Sequence, residues 1–207
     1  MTIETVIFDL GHVLVDLDGK QVTARLAALT GKNTDELRRV FGAIELPMAA
    51  FEMGRLNAVE FYHIVIDAYE LSADRYSFAD FRRDWCGIMV PVPEMAQLFH
   101  ACCEICTTCV LSNTNELHWT WVAERYDLLQ RARYTLTSYQ CGLYKPQREI
   151  YELALQRFEV KDPAAAVFID DRPENIDGAV AVGMKQSFRH EDAGSTHDRL
   201  RELGLGV

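Results

Sequence analysis

No apolar run in this chain of 207 residues approaches the length that crosses a bilayer. Its first residues lack the basic stretch and apolar core that mark a secretory signal. Positive charge is also short: 21 Lys and Arg against 31 Asp and Glu leave a formal net charge of −10. That shortage disfavours nucleic acid and anionic membrane surfaces, which are held mainly by basic side chains. An anionic substrate would need a local device to overcome this field, and a divalent metal supplies one. No internal repeat and no low-complexity tract is present. Six cysteines occur, Cys86, Cys102, Cys103, Cys106, Cys109 and Cys141. Without an export signal, reduced thiols are expected rather than a disulfide framework. These absences lead to the expectation of a cytoplasmic protein, monomer or homodimer, with no nucleic-acid or membrane partner.

What the chain does have is an ordinary globular balance, 49% hydrophobic and 25% charged residues, in a length that suits one domain with a modest insertion. Its most informative stretch comes at once: Val6-Ile7-Phe8-Asp9-Leu10-Gly11-His12-Val13-Leu14. The apolar run from Thr5 to Phe8 reads as a short buried strand that stops at a carboxylate. In an open parallel sheet, ligands bind beyond the carboxyl ends of the strands, which puts Asp9 at the lip of a cleft. Taken by itself, Asp9 could equally end a strand or cap a turn. Val13 to Asp18 reads as a loop or small hairpin leaving that strand.

From Lys20 to about Val90 the apolar residues recur at helical spacing. Val22, Leu26 and Leu29 share a face that ends at Gly31, and Asn33-Thr34-Asp35-Glu36 opens a second helix. Phe51-Glu52-Met53-Gly54 closes a short helix at its glycine. Asn57 and Glu60 form a capping-box pattern before Phe61, Ile64, Val65 and Ala68. Ser77 to Met89 gives one more helix. No strand pattern intervenes, so residues 18–90 are expected as an all-helical insertion of four or five helices, set between residues 1–17 and 91–207.

Beyond Pro91-Val92-Pro93, strands and helices alternate. Glu94 to Cys103 is helical, Cys106 to Leu111 a strand, Glu116 to Tyr126 a helix and Tyr134 to Thr137 a strand. Pro146 opens a helix, Ala166 to Ile169 is a strand, Glu174 to Val182 a helix ended by Gly183, and Met184 to Phe188 a strand before a polar helical tail. Such alternation specifies an α/β architecture, a Rossmann-like doubly wound parallel sheet covered on both faces.

Three strands therefore end in polar groups: Asp9, Ser112-Asn113 and Asp170-Asp171. Lys145 stands just before a proline-led helix. A doubly wound sheet can bring all of these to one edge. Asp9 near Asp170 and Asp171 sets carboxylates in mutual repulsion, and hard oxygen ligands gathered this way suit Mg²⁺. Ser112 and the amide of Asn113 can donate to a phosphoryl oxygen, while Lys145 neutralises charge. Phosphoryl transfer needs positioning and electrostatic stabilisation, and this set supplies both. A carboxylate nucleophile forming an aspartyl phosphate is an established covalent route.

The order Asp9, Ser112, Lys145, Asp170-Asp171 resembles the haloacid dehalogenase (HAD) superfamily of phosphohydrolases. Four motifs carry the resemblance, FDLGHVL, VLSNTN, YKPQREIY and FIDDRPENIDGA, and they span almost the whole chain. The wording FDLGHVL with LSNTN is most similar to bacterial sugar-phosphate phosphatases typified by α-D-glucose-1-phosphate phosphatase. The resemblance places a cap domain in the helical block between the first two motifs. It implies Asp9 as nucleophile and Mg²⁺ ligand, with the Gly11 carbonyl, Asp170 and Asp171 completing the metal site. It implies Ser112 and Asn113 binding the phosphoryl group, Lys145 pairing with it, and Asn175 standing behind the metal ligands. The substrate would be a small phosphate ester such as a hexose 1-phosphate.

One departure matters. Most HAD phosphatases carry a second aspartate two residues after the nucleophile, which protonates the leaving alcohol and later activates water. Here that position is Gly11. The metal role survives, since a carbonyl needs no side chain, whereas the acid–base role does not. Three explanations compete: a leaving group that is intrinsically acidic, as an anomeric hydroxyl is; a substitute such as His12, Asp16 or water; or a catalytically weak phosphosugar-binding module. A haloacid dehalogenase also lacks the second aspartate, but such enzymes need no metal and lack the paired aspartate of the fourth motif.

Other features have plainer readings beside functional ones. Cys103, Cys106 and Cys109, with Cys102, have the spacing of a metal cluster but also that of a helix end running into a buried strand. Trp119 and Trp121 read as packing. Glu52 and Arg55 flank a glycine, where they either touch substrate or cap helices.

Overall fold

The computed structural model describes residues 2–207. After β1 (Thr5–Phe8) and the short β2 (Val15–Leu17) come five helices: α1 (Lys20–Thr30), α2 (Thr34–Ala43), α3 (Glu45–Glu52), α4 (Ala58–Ala68) and α5 (Phe78–Cys86). β3 (Met89–Pro91) then pairs antiparallel with β2, closing the base of the helical block. The alternating part follows, with α6 (Pro93–Ile105), β4 (Thr107–Ser112), α7 (Glu116–Arg125), β5 (Tyr134–Thr137) and the short α8 (Ser138–Cys141). It ends with α9 (Arg148–Arg157), β6 (Ala166–Asp170), α10 (Pro173–Ala181), β7 (Phe188–Arg189) and α11 (Ala193–Glu202).

Five strands form one parallel sheet in the order β5-β4-β1-β6-β7. The continuous apolar runs of the sequence have a geometric cause: successive side chains of a strand point to opposite faces, and both faces are covered. Val6 and Phe8 of β1, Val110 of β4 and Val167 and Ile169 of β6 pack with Leu98 and Phe99 of α6 and Leu200 of α11. Ile7, Cys109, Leu111 and Phe168 face the other way, onto Ile150, Tyr151 and Ala154 of α9 and Ala179 of α10. The chain leaves β1 toward β4 and β5 on one side, then returns to place β6 and β7 on the other. Beside β1 the strand order reverses, which is where an open α/β sheet opens a crevice.

The helical block has its own apolar cluster, including Phe51, Phe61, Tyr76 and Phe81 from within it and Leu117 from α7. Phe51 and Phe61 stack with centroids 4.8 Å apart. Capping boxes at Asn33/Glu36, Asn57/Glu60 and Ser77/Asp80 satisfy helix-start amides, as the Asn57 pattern predicts. Among the described residues, no helix is long and apolar enough to cross a membrane.

Three local expectations need correction. The helix from Ser77 stops at Cys86, and Met89 onward is strand, because Val15–Leu17 offers an edge for it to pair with. The stretch after Gly183 contributes only Phe188–Arg189 to the sheet. Its earlier residues turn, with Ser187 N donating to the Met184 carbonyl, and Ser187 Oγ accepts from Phe168 N. α9 begins at Arg148, since Pro146 lies in a turn closed by Gln147 N donating to the Tyr144 carbonyl at 2.8 Å. The glycine closure expected for α3 does hold: the helix ends at Glu52, Met53 caps it, and Arg55 N donates to the Ala50 carbonyl at 2.8 Å across the left-handed Gly54. Gly54 (φ +68°) then passes so close to the Tyr139 carbonyl that a Cβ would collide with it.

Candidate active site

The sheet register aligns the polar strand ends. Phe8 lies opposite Val110 of β4 and Ile169 of β6, so the next residues, Asp9, Leu111 and Asp170, form the exit row of the three central strands. Lys145, from the loop before α9, threads into this row and is buried. Its ammonium lies 2.9 Å from Asp9 Oδ1, 2.6 Å from Asp170 Oδ2 and 3.1 Å from the Leu111 carbonyl. An ammonium has three N–H donors, and here each has an acceptor. Asn113 fixes the loop: its Oδ1 accepts from Lys145 N at 2.9 Å and its Nδ2 donates to the Lys145 carbonyl at 3.0 Å.

The two aspartates of the fourth motif differ in their surroundings. Asp170 is fully buried, accepting from Lys145 Nζ, from Asn175 Nδ2 at 2.9 and 3.0 Å, and from Arg172 N at 2.9 Å. Asp171 is half-buried, and its carboxylate accepts no hydrogen bond among the described residues. Asp9, Asp170 and Asp171 offer carboxylate oxygens that lie within 4.8 Å of one another. Asp9 Oδ1 also accepts from Leu10 N at 2.7 Å, which fixes one oxygen and leaves the other free. Burial pushes the Asp9 carboxyl up to about 7, with Lys145 pulling the other way and Asp170 adding to the rise.

Ser112 is buried at the end of β4, and its hydroxyl has no hydrogen-bond partner among the described residues. Gly11 is half-buried, and a Cβ built there would meet nothing within 4 Å. Leu10, Gly11, Ser112, Asn113 and Thr114 form the floor of a cavity of about 970 Å³ that extends under the helical block. Glu52, at the end of α3, reaches the same cavity, and its Oε2 accepts from Tyr144 Oη at 2.7 Å. Burial raises its pKa.

The structure thus brings together Asp9, Lys145, Asp170, Asp171 and Asn175, with Gly11, Ser112 and Asn113 alongside. His12 and Asp16 are exposed. Arg55 is exposed too, so of the pair around Gly54 only Glu52 faces the cavity. Cys102 and Cys109 belong to opposite faces of the sheet, which separates them as ligands of one cluster. Trp119 and Trp121 pack against the core. Sequence reasoning passed over Tyr144, although it adjoins Lys145 in the third motif, and the engagement of the Asn113 side chain by the backbone of Lys145.

A Rossmann-like core with a lysine-centred carboxylate cluster at its switch point is the class of protein that this fold and site define. The sequence model of the haloacid dehalogenase-like hydrolases matches residues 3–183. The chain belongs to that family. Its fold is shared with a HAD family enzyme from Bacteroides thetaiotaomicron, crystallised in complex with magnesium and inorganic phosphate. That pair aligns at 22% identity with a TM-score of 0.79, covering 91% of this chain and 94% of the other. It is shared also with a 2-haloacid dehalogenase from Pseudomonas syringae pv. tomato DC3000, at 19% identity, TM-score 0.66 and coverage of 97% and 99%. An L-2-haloacid dehalogenase from Xanthobacter autotrophicus with covalently bound chloropropionic acid aligns at 19% identity and TM-score 0.62, covering 88% and 75%.

Proposed function

We propose that this chain is a Mg²⁺-dependent phosphomonoester hydrolase in which Asp9 is the nucleophile. The observation that carries the reading is the gathering of Asp9, Asp170 and Asp171 carboxylate oxygens within 4.8 Å of one another, with the Lys145 ammonium paired to the first two. Three carboxylates and one ammonium leave two formal negative charges, which would repel a phosphate ester. A divalent cation offsets both, and hard oxygen donors with room for waters and a phosphate oxygen are what Mg²⁺ takes. Asp9, Asp171 and the Gly11 carbonyl would hold it directly. Asp170, its lone pairs already occupied by four N–H contacts, would chiefly anchor Lys145, and Asn175 would hold Asp170 in place. When bound, the metal supplies charge neutralisation and orientation for the phosphoryl group.

The chain's own residues then account for the steps. The free oxygen of Asp9 attacks phosphorus as the ester oxygen leaves, giving an aspartyl phosphate. Ser112 Oγ and the Asn113 backbone N–H steady the phosphoryl oxygens, and the Lys145 charge offsets the negative charge that develops beside Asp9. Water then attacks phosphorus, breaking the Asp9–phosphate bond and releasing phosphate. The leaving oxygen takes its proton from water, because Gly11 offers none. Helices α1–α5, within residues 18–90, act as a cap over the site. The paired aspartates favour this reading over metal-free dehalogenation.

Assay of metal-stripped protein with 4-nitrophenyl phosphate tests the reading. Turnover is expected to appear only on adding Mg²⁺. An undiminished rate in EDTA, or halide release from a 2-haloacid without metal, would overturn it. The raised pKa of Asp9 adds a pH signature. Between about 4 and 7 the metal-free fold holds a proton that the unfolded chain has lost, so this group's contribution to stability declines as pH rises through that window. Mg²⁺ competes with the same proton, so its increment in Tm should be larger at pH 8 than at pH 5.5. Equal increments in thermal scans at the two pH values would count against Asp9 as a ligand.

Gly11 makes leaving-group acidity important, and an anomeric phosphate such as a hexose 1-phosphate meets that demand. With Mg²⁺, kcat on glucose 1-phosphate should exceed kcat on glucose 6-phosphate. The open space at the Gly11 Cβ admits a side chain, so Gly11→Asp should raise kcat on the 6-phosphate more than on the 1-phosphate. A general acid typically contributes about 10²–10⁴-fold. Equal wild-type kcat for the two isomers would show that another group supplies the proton.

A further inference from the structure

The cavity beneath the helical block is unlike a sugar site. Its cap-side wall includes Val22, Leu26, Leu37, Phe41, Met48 and Ile88. The polar groups along it are mostly engaged by the protein itself. Glu52 accepts from Tyr144. His118 Nε2 lies 3.1 Å from the Trp85 carbonyl and its Nδ1 3.2 Å from Asn115 Nδ2. Thr23 Oγ1 donates to the Gly19 carbonyl at 2.8 Å. Lys20 and Arg38 sit at the rim with their side chains in solvent. The cap-side buried donors without a protein partner, among the described residues, are the Tyr69 hydroxyl and the Trp85 indole N–H. A hexose brings four hydroxyls besides its phosphate, and each one buried without a partner costs about 1–3 kcal/mol. Leu17 and Phe41, each 41% exposed, also line the cavity, so apolar surface reaches solvent between the charged groups of its rim.

Two independent features therefore constrain the same ester. Gly11 calls for a leaving hydroxyl that bears negative charge without a general acid. The wall and the volume of about 970 Å³ call for a large apolar group. A hexose 1-phosphate meets the first demand and fails the second. A fatty-alcohol phosphate meets the second and fails the first. A phenol meets both. We propose that the substrate is an aryl phosphate whose ring system occupies the cavity under α1 and α2. This inference rests on the phosphatase reading above. Asp9 displaces the aryloxide, which is protonated by water, and a second water molecule releases phosphate, so that aryl phosphate and water give phenol and inorganic phosphate.

Four esters, assayed with Mg²⁺ on the full chain, separate the parts. Phenyl and 2-naphthyl phosphate have leaving groups of similar acidity and differ in apolar size. Phenyl and benzyl phosphate are similar in size and differ in acidity. Glucose 1-phosphate is the polar comparison. The expected order in kcat/KM is 2-naphthyl above phenyl by about tenfold or more, and phenyl above both benzyl and glucose 1-phosphate. Phe41→Ser, at a partly exposed position, should lower the 2-naphthyl value more than the phenyl value, chiefly through KM. No gain from phenyl to 2-naphthyl, no loss from phenyl to benzyl, or glucose 1-phosphate as the best ester would each overturn the aryl assignment while leaving the phosphatase standing. Failure to hydrolyse any of them, or 4-nitrophenyl phosphate, would remove the phosphatase reading itself and the inference with it.

Discussion

Asp9→Asn is expected to abolish turnover, by roughly 10⁴-fold or more, while leaving the fold in place. The amide cannot attack phosphorus, and the neighbouring carboxylates are otherwise committed: Asp170 is fully buried and spent on Lys145, Asn175 and a backbone amide, and Asp171 would hold the metal. The stability side of the prediction follows from the same environment. Burial holds the Asp9 carboxyl up at about 7, so the charged form is a burden on the metal-free fold at and above that pH. An isosteric neutral group lifts the burden, and Lys145 keeps Asp170 and the Leu111 carbonyl as acceptors. The Tm of metal-free Asp9→Asn at pH 8 should therefore equal or exceed that of the wild type. Mass spectrometry of wild-type protein quenched during turnover should find phosphate on the peptide containing Asp9. Wild-type rates in the variant, or phosphate on another residue, would remove Asp9 as nucleophile.

The parts of this site that were legible in the sequence share a physical reason. Strands covered on both faces are continuous apolar runs, and Asp9, Ser112 and Asp170 stand where such runs stop. A carboxylate or hydroxyl at that boundary needs no three-dimensional information to be noticed. What escaped depends on distances along the chain that no local pattern spans. Glu52 meets Tyr144 from 92 residues away, and Asn113 grips the backbone of Lys145 from 32. β2 and β3 are too short to show alternation, and β3 continues a helical apolar pattern, so only their mutual pairing separates Met89–Pro91 from α5.

The cavity was illegible for a different reason. Helical periodicity marks Leu26 and Leu37 as inward-facing, and it is right about both. It carries no information on whether the space they face is filled by another side chain or left open for a ligand. The apolar stripe of a core helix and the apolar wall of a binding cavity have the same sequence signature. Substrate class therefore has to be read from the assembled walls, and Gly11 acquires its meaning only beside them: a missing proton donor and an apolar chamber together narrow the ester in a way that neither does alone.

Lys145→Met should be the most destabilising single change at the site and should also lower kcat sharply. The ammonium is buried and gives its three donors to Asp9, Asp170 and the Leu111 carbonyl. Removing it leaves two carboxylates facing each other across the gap, and breaking a buried pair from one side costs about 3–5 kcal/mol. For a chain of this length that is a fall in Tm on the order of 10 °C. Loss of the charge beside the attacking oxygen should lower kcat by about 10²–10³-fold, the usual effect of deleting one preorganised stabilising donor. A double-mutant cycle separates packing from charge. Asp170→Asn removes the carboxylate that Lys145→Met strands, so the double variant should recover part of the lost Tm, whereas Asp170→Asn alone should be destabilising because it weakens a buried pair. Coupling of this kind is expected between groups 2.6 Å apart. Additive changes in Tm across the cycle would mean that Lys145 stabilises the fold through its methylene packing, and that its charge is not what holds Asp9 and Asp170 together.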